Sequence, residues 1–172
     1  MVELFQPEVH QQSLDLIVQT DSVSVKTDPD LLDRVIANIL SNAIKFTHDG
    51  SITLRTQILK NKVTLSISDS GLGISEENLG RVFDEFFQEY NPERDRSKGI
   101  GLGLSICKRI CDLLDHKLFL ESSKYGTTVS IELSEADNSA IEDRSKTIND
   151  ITSGSIELQT RALLVEDDPM VA

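Results

Sequence analysis

Two glycine-rich segments constrain this chain more than any other feature: Asp-Ser-Gly-Leu-Gly-Ile-Ser at residues 69–75 and Lys-Gly-Ile-Gly-Leu-Gly-Leu at residues 98–104. The first turns the chain sharply where an alternating apolar run ends, and the second sits directly before an amphipathic helical pattern. Glycine clusters let the backbone approach a phosphate chain, and an aspartate among apolar neighbours can accept a hydrogen bond from an exocyclic amine. Ahead of both lies an Asn-x-x-x-Asn-Ala helix at residues 38–43, whose amide oxygens can ligate a hard cation. The trio describes a site for a magnesium nucleotide.

The surrounding pattern supplies a scaffold. Leu14–Val18 and Val23–Val25 alternate on either side of the turn-prone Thr20-Asp21-Ser22 and predict a pair of strands. Asp28-Pro29 offers a cap and a first-turn proline, after which Leu32, Val35, Ile36, Ile39 and Ala43 recur at helical spacing up to Asp49-Gly50. Ile52, Leu54 and Ile58, then Val63, Leu65 and Ile67, predict a hairpin that delivers Asp69 at its end. Residues 75–83 predict a short helix begun by Ser75, and residues 84–98 a polar, irregular flap. From Gly101 a helix carries Ile106, Cys107, Ile110, Leu113 and Leu114 on one stripe, and two strands follow around Leu118–Leu120 and Val129–Leu133. These elements pack as an α+β two-layer sandwich, a mixed and largely antiparallel sheet with helices over one face, spanning residues 1–135. Residues 136–160, rich in Ser, Asp, Asn, Glu and Thr, read as a polar linker. Residues 161–172 open a new strand-like run, Arg161-Ala-Leu-Leu-Val165, followed by Glu166-Asp167-Asp168.

A formal charge of −12 argues against a nucleic-acid or anionic-membrane surface, since phosphate contacts need clustered lysine and arginine. The chain shows no run of about 18 apolar residues and no charged-then-apolar leader, so the expected location is cytoplasmic, with a membrane-anchored parent left open. Cys107 and Cys111 lie four apart in the apolar helical pattern and are expected as small buried hydrophobes.

On the long helix Asn38, Asn42 and Lys45 are spaced four and three apart, so two amides and an ammonium share one stripe. Such a stripe also suits a solvated polar face. The glycine segments tip the balance, with Asn42 placed to hold a cation and Lys45 a phosphate oxygen. Gly99, Gly101 and Gly103 lead into a helix N-terminus, where amides and the dipole favour an anion. The segment is neither a Walker motif, since no Gly-Lys-Ser/Thr follows, nor a Rossmann fingerprint.

Taken in order, these motifs resemble the catalytic ATP-binding domain of sensor histidine kinases, in the superfamily shared with gyrase, Hsp90 and MutL and built on the Bergerat-type ATP-binding fold. Residues 34–47 resemble its asparagine box, residues 69–75 and 98–104 its two glycine boxes, and residues 82–87 its phenylalanine box. The resemblance implies that Asn42 coordinates magnesium, that Asn38 and Lys45 serve the phosphates and the transfer, and that Phe46 lies against adenine. It further implies that Asp69 accepts from the adenine amino group in a pocket shaped by Gly71, Gly73 and Ile74, with Thr127 supporting it through water. Lys98, Gly99, Gly101, Leu102, Gly103 and Leu104 would close on the phosphates.

The implied partner is a dimerising hairpin bearing the phosphoacceptor histidine. His10, His48 and His116 all lack the setting of such a residue. The tail resembles the opening of a receiver domain, with Glu166 and Asp167 as its acidic pair, which implies a hybrid kinase working with a receiver or response regulator. Two other functions stay open: an ATPase clamp of the same superfamily, and a nucleotide-binding or docking module without catalysis. The superfamily's hydrolases usually place a glutamate where this chain has Asn38, which argues against the clamp.

Overall fold

The computed structural model describes residues 2–59, 62–89 and 100–136. A 3-10 turn, Val2–Phe5, runs into helix α1, Gln6–Gln11, and strand β1, Asp15–Gln19. Helix α2, Pro29–Phe46, precedes the hairpin of β2, Ser51–Leu59, and β3, Lys62–Asp69. A 3-10 turn at Leu79–Arg81, helix α3, Gly103–Leu113, and the hairpin of β4, Lys117–Ser123, with β5, Gly126–Ser134, complete the order. The predicted linker from 137 onward and the strand-like run at 161–172 lie outside the described residues.

One five-stranded sheet has the order β1-β2-β3-β5-β4. Every neighbouring pair is antiparallel except β1 with β2. The parallel pair follows from the length of chain between the two strands: 31 residues that include an 18-residue helix form a crossover, not a hairpin. The predicted partnership of Val23–Val25 with β1 therefore does not form. Val25 instead bridges Glu135 beyond the end of β5, where the Lys26 and Ala136 N–H groups donate to Ser134 and Ser24 carbonyls.

Helix α2 starts as its sequence dictates, with the Asp28 carboxylate accepting from the Leu31 N–H at 3.0 Å and Pro29 in the first turn. Its buried stripe, Leu32, Val35, Ile36, Ile39, Leu40, Ala43 and Ile44, packs with the inward rows of β2, β3 and β5. Helix α3 adds Cys107, Ile110 and Cys111; Leu113, expected on that stripe, is 74% exposed, so the buried face is rotated toward Cys111. Burial pushes the Cys107 thiol up to about 12 and the Cys111 thiol to about 11, so both behave as hydrophobes, as expected. The helix predicted at 75–83 is a turn followed by the 3-10 turn, because the Ser75 carbonyl accepts from both Asn78 and Leu79 and no longer helical ladder develops.

His116 closes the far end of this layer. It is buried, and its Nε2 lies 2.8 Å from the Thr27 hydroxyl just before α2. Burial holds the imidazole below its ordinary value of 6.5, against the backbone bond and charge of Asp115 that favour protonation. The unfolded chain therefore binds a proton more readily, so stability is complete above about pH 6.5 and declines as pH falls through that value. Thermal melts between pH 8 and pH 5 should show this decline in the parent chain and a smaller one in His116→Gln.

Candidate functional site

Strand alternation carries an apolar row, Ile67 of β3, Val129 of β5 and Leu120 of β4, across the helix-facing side of the sheet. One step further along the same face the row turns polar, as Asp69, Thr127 and Ser122. Asp69 Oδ1 accepts the Gly71 N–H at 2.9 Å and the Thr127 N–H at 3.2 Å. Those are its bonds among the described residues, which leaves Oδ2 as the acceptor available to a ligand. Burial raises the Asp69 carboxyl above its ordinary 3.8, outweighing the two N–H bonds that favour the charged form.

The first glycine segment is wrapped tightly around this carboxylate. The Leu72 N–H donates to the Phe46 carbonyl at 3.3 Å, tying the turn to the last residue of α2. Gly73 has φ +69°, and a Cβ there would collide with the Ser123 carbonyl. The Ile74 N–H then donates to the Ser122 hydroxyl at 2.9 Å.

A cavity of about 540 Å³ opens from this polar row toward the helices. Asn38, Asn42 and Lys45 line it from α2, with Phe46 beside them; Lys45 Nζ sits 4.6 Å from the Phe46 ring centre. Opposite stands the start of α3. Among the described residues no side chain caps this helix, so its first-turn N–H groups can meet an acceptor from outside. The start of α3 lies close to both amides: a Cβ built on Gly103 would meet Asn42 Nδ2 at 3.5 Å and Asn38 Oδ1 at 3.7 Å, ordinary contact distances. Asn38 Nδ2 itself donates to the Arg34 carbonyl at 3.0 Å.

Of the sequence-predicted site residues, Asn38, Asn42, Lys45, Phe46, Asp69, Gly73, Ile74, Gly101, Leu102, Gly103, Leu104 and Thr127 all line this cavity. Gly71 stands behind the wall and contributes its N–H. Lys98 and Gly99 lie outside the described residues. Thr127 also meets Asp69 through its backbone N–H.

Residues 27–137 match the family described as histidine kinase-, DNA gyrase B- and HSP90-like ATPase. The chain belongs to this family. Its relatives include the autoinducer 2 sensor kinase/phosphatase LuxQ of Vibrio cholerae, 31% identical over 76% of this chain and 16% of LuxQ. The virulence sensor protein BvgS of Bordetella bronchiseptica is 35% identical over 77% of this chain and 11% of BvgS. The chain thus spans a small fraction of the length of these relatives. In fold it is similar to the nucleotide-free catalytic domain of histidine kinase ThkA, with a TM-score of 0.67 and 29% identity over 77% of this chain and 88% of that one. The same kinase solved in complex with response regulator protein TrrA gives a TM-score of 0.63 and 27% identity over 78% of this chain and 38% of that one.

Within this ATPase-family domain the structure adds residues that sequence reasoning missed. Glu89 lines the cavity, and its carboxylate accepts the Ser75 N–H at 3.1 and 3.4 Å. Burial, which would raise that carboxyl, is outweighed by hydrogen bonds from Ser75 and Asn78, which hold it low. Nothing in its irregular sequence context marks it. Phe87 and Val82 also face the cavity, whereas Phe86, with φ +64°, is 65% exposed and donates its N–H to the Gly101 carbonyl at 2.9 Å. That bond joins the phenylalanine box to the second glycine box. Ser122 did leave a signal, since it shares the parity of Leu118 and Leu120.

Because the native state holds the Asp69 proton more tightly than the unfolded chain, this group lowers stability as pH rises from 3.8 through its raised value. Asp69→Asn keeps an acceptor for Gly71 and Thr127 and removes the buried charge. Its melting temperature at pH 7 should equal or exceed that of the parent, and its excess over the parent should shrink toward pH 4. Gly73→Ala, by contrast, should lower the melting temperature at every pH.

Proposed function

We propose that this chain binds Mg-ATP in the cavity and donates the γ-phosphoryl group to a histidine on a separate dimerisation and phosphoacceptor segment, in two-component signalling. The observation that carries the proposal is the pairing of a half-buried carboxylate at one end of the cavity with two amides, a lysine and an uncapped helix N-terminus at the other. An adenine amine suits Asp69 Oδ2, Phe46 and Ile74 border the base, and Thr127 supports the same edge. A triphosphate suits the opposite end, where Lys45 is the only basic side chain among the described lining residues. Lys98 and Gly99, together with Gly101 to Leu104, complete the phosphate-binding set.

The residues present fit a magnesium ion carried in with the phosphates. Among the described residues no three His, Cys, Asp or Glu side chains cluster as a metal cage, and magnesium typically takes one or two protein oxygens plus phosphate and water. Asn42, whose amide faces the start of α3, is the proposed protein ligand, with Asn38 beside it. When bound, the ion would offset phosphate charge. The chain itself orients the nucleotide: Asp69 fixes the base, Lys45 and the α3 amides hold the phosphates, and the external imidazole nitrogen forms the new bond to phosphorus as the bond to the bridging oxygen breaks and ADP leaves.

Asn38 bears on the ATPase-clamp alternative. Its amide cannot take a proton from water, so hydrolysis by the chain alone should be slow. None of His10, His48 and His116 lines the cavity, and His116 is buried at the other end of α3, so the phosphoacceptor is assigned to another segment. The proposal extends to the rest of the chain: residues 136–160 link this domain to residues 161–172, the start of a receiver in a hybrid kinase of cytoplasmic disposition. Among the described residues no helix is long and apolar enough to cross a membrane. ThkA's complex with a response regulator supports the choice of such a partner.

Calorimetric titration with ADP and a slowly hydrolysed ATP analogue, with and without magnesium, tests this. Magnesium-dependent binding should occur and should weaken at least tenfold in Asp69→Asn, where a buried donor–carboxylate bond is lost. A folded chain that binds neither nucleotide would refute the proposal. Asn42→Ala should reduce the magnesium dependence while leaving metal-free ADP binding nearly unchanged.

A further inference from the structure

Ser122 does not line the cavity, yet its hydroxyl stands behind the two groups that face the base. Its Oγ lies 2.9 Å from the Ile74 N–H, 3.1 Å from the Gly126 carbonyl and 2.8 Å from Thr127 Oγ1. A serine hydroxyl has one proton and two lone pairs, so these three contacts can be satisfied together in only one way. The Ile74 N–H takes one lone pair. The Gly126 carbonyl can only accept, so it takes the Ser122 proton. The Thr127 hydroxyl must then donate into the remaining lone pair of Ser122. Reversing the last bond would spend the Ser122 proton on Thr127 and leave the Gly126 carbonyl contact without a hydrogen.

With its proton committed to Ser122, Thr127 Oγ1 has only lone pairs to offer the cavity, beside Asp69, whose Oδ1 is occupied and whose Oδ2 is likewise an acceptor. The two polar side chains at the end of the cavity that meets the base, Asp69 and Thr127, therefore both present acceptors. A 6-amino purine satisfies it with a donor, while a 6-oxo purine brings a third acceptor to the same place. We propose that Ser122 is a positioning residue that fixes the Thr127 proton away from the base and so sets discrimination between 6-amino and 6-oxo purine nucleotides. Without Ser122 the Thr127 hydroxyl can rotate and donate to a 6-oxo group, and the site tolerates the wrong base.

This rests on the nucleotide assignment of the cavity, and the test separates the two. The full chain is titrated with ADP and with inosine diphosphate, which share ribose and phosphates and differ at the 6-position. In Ser122→Ala the ratio of the two affinities should fall by about two- to tenfold, the worth of one neutral hydrogen bond, largely through tighter inosine diphosphate binding. Ser122→Thr, which keeps the hydroxyl, should retain the parent ratio. A purely structural role for Ser122 would weaken both nucleotides alike and leave the ratio unchanged, which would overturn the inference while ADP binding by the parent chain stood. In a Thr127→Val background, Ser122→Ala should have no further effect on the ratio, and a further effect would also overturn it. Should Ser122→Ala fail to fold, Ser122→Cys gives the same reading, because a thiol is a weak acceptor and releases the Thr127 proton. Absence of ADP binding by the folded parent chain would overturn the nucleotide assignment and this inference together.

Discussion

The carboxylate of Asp69 is the joint on which the rest of the site is built. It is a half-buried acid whose burial favours the protonated form, and two backbone N–H groups from opposite directions hold it in place. The bond to Gly71 forces the chain to reverse within two residues of the strand end, and the reversed segment bonds to the Phe46 carbonyl at the end of α2. The bond to Thr127 reaches across to β5. One oxygen atom thus fastens a strand end, a glycine turn, a neighbouring strand and, through the turn, the end of the long helix. The second oxygen stays available for a ligand. A buried acid that lowers the stability of the free domain near neutral pH makes physical sense where a bound donor compensates it.

The two ends of the cavity are made by different physics. At the Asp69 end the sheet supplies fixed acceptors, held by strand register and by hydroxyls that bond one another. At the opposite end the helices supply donors: α2 runs its amide and lysine stripe along the wall while its apolar stripe stays in the core, and α3 points its uncapped N-terminus at the same space. Gly103, at the start of α3, lies against Asn38 and Asn42. In a chain of net charge −12, a local excess of donors around one cavity is what would draw in a polyanion.

Much of this was legible in the residues. Asp28-Pro29 set the start of α2, and the 3.6-residue period placed its core stripe and, by offset, the Asn38, Asn42 and Lys45 stripe. Alternation set the β2–β3 and β4–β5 hairpins and put Asp69 and Thr127 on the inward face. The glycine segments marked both turns. The order of the motifs led to the family to which residues 27–137 belong. Where sequence reasoning failed, local pattern competed with longer-range pairing: Val23–Val25 alternates like a strand but makes a single bridge, Val25 with Glu135, and residues 75–83 have a helical start but spend the Ser75 carbonyl on a tight turn.

By itself, then, the sequence determined most of the periodic elements, the cap of α2, the glycine turns and the inward parity of β2 to β5, because these depend on residues within a few positions of one another. Tertiary structure alone decided that β1 lies parallel to β2 at the sheet edge, that α3 begins against the α2 amides, and that Glu89 holds Ser75. It also decided that Ser122 binds Ile74 across 48 residues of chain. The physical reason is the same in each case. A hydroxyl, a carboxylate or a bare Cα acquires its role from the group that packing brings opposite it, and chain separation carries no information about that group.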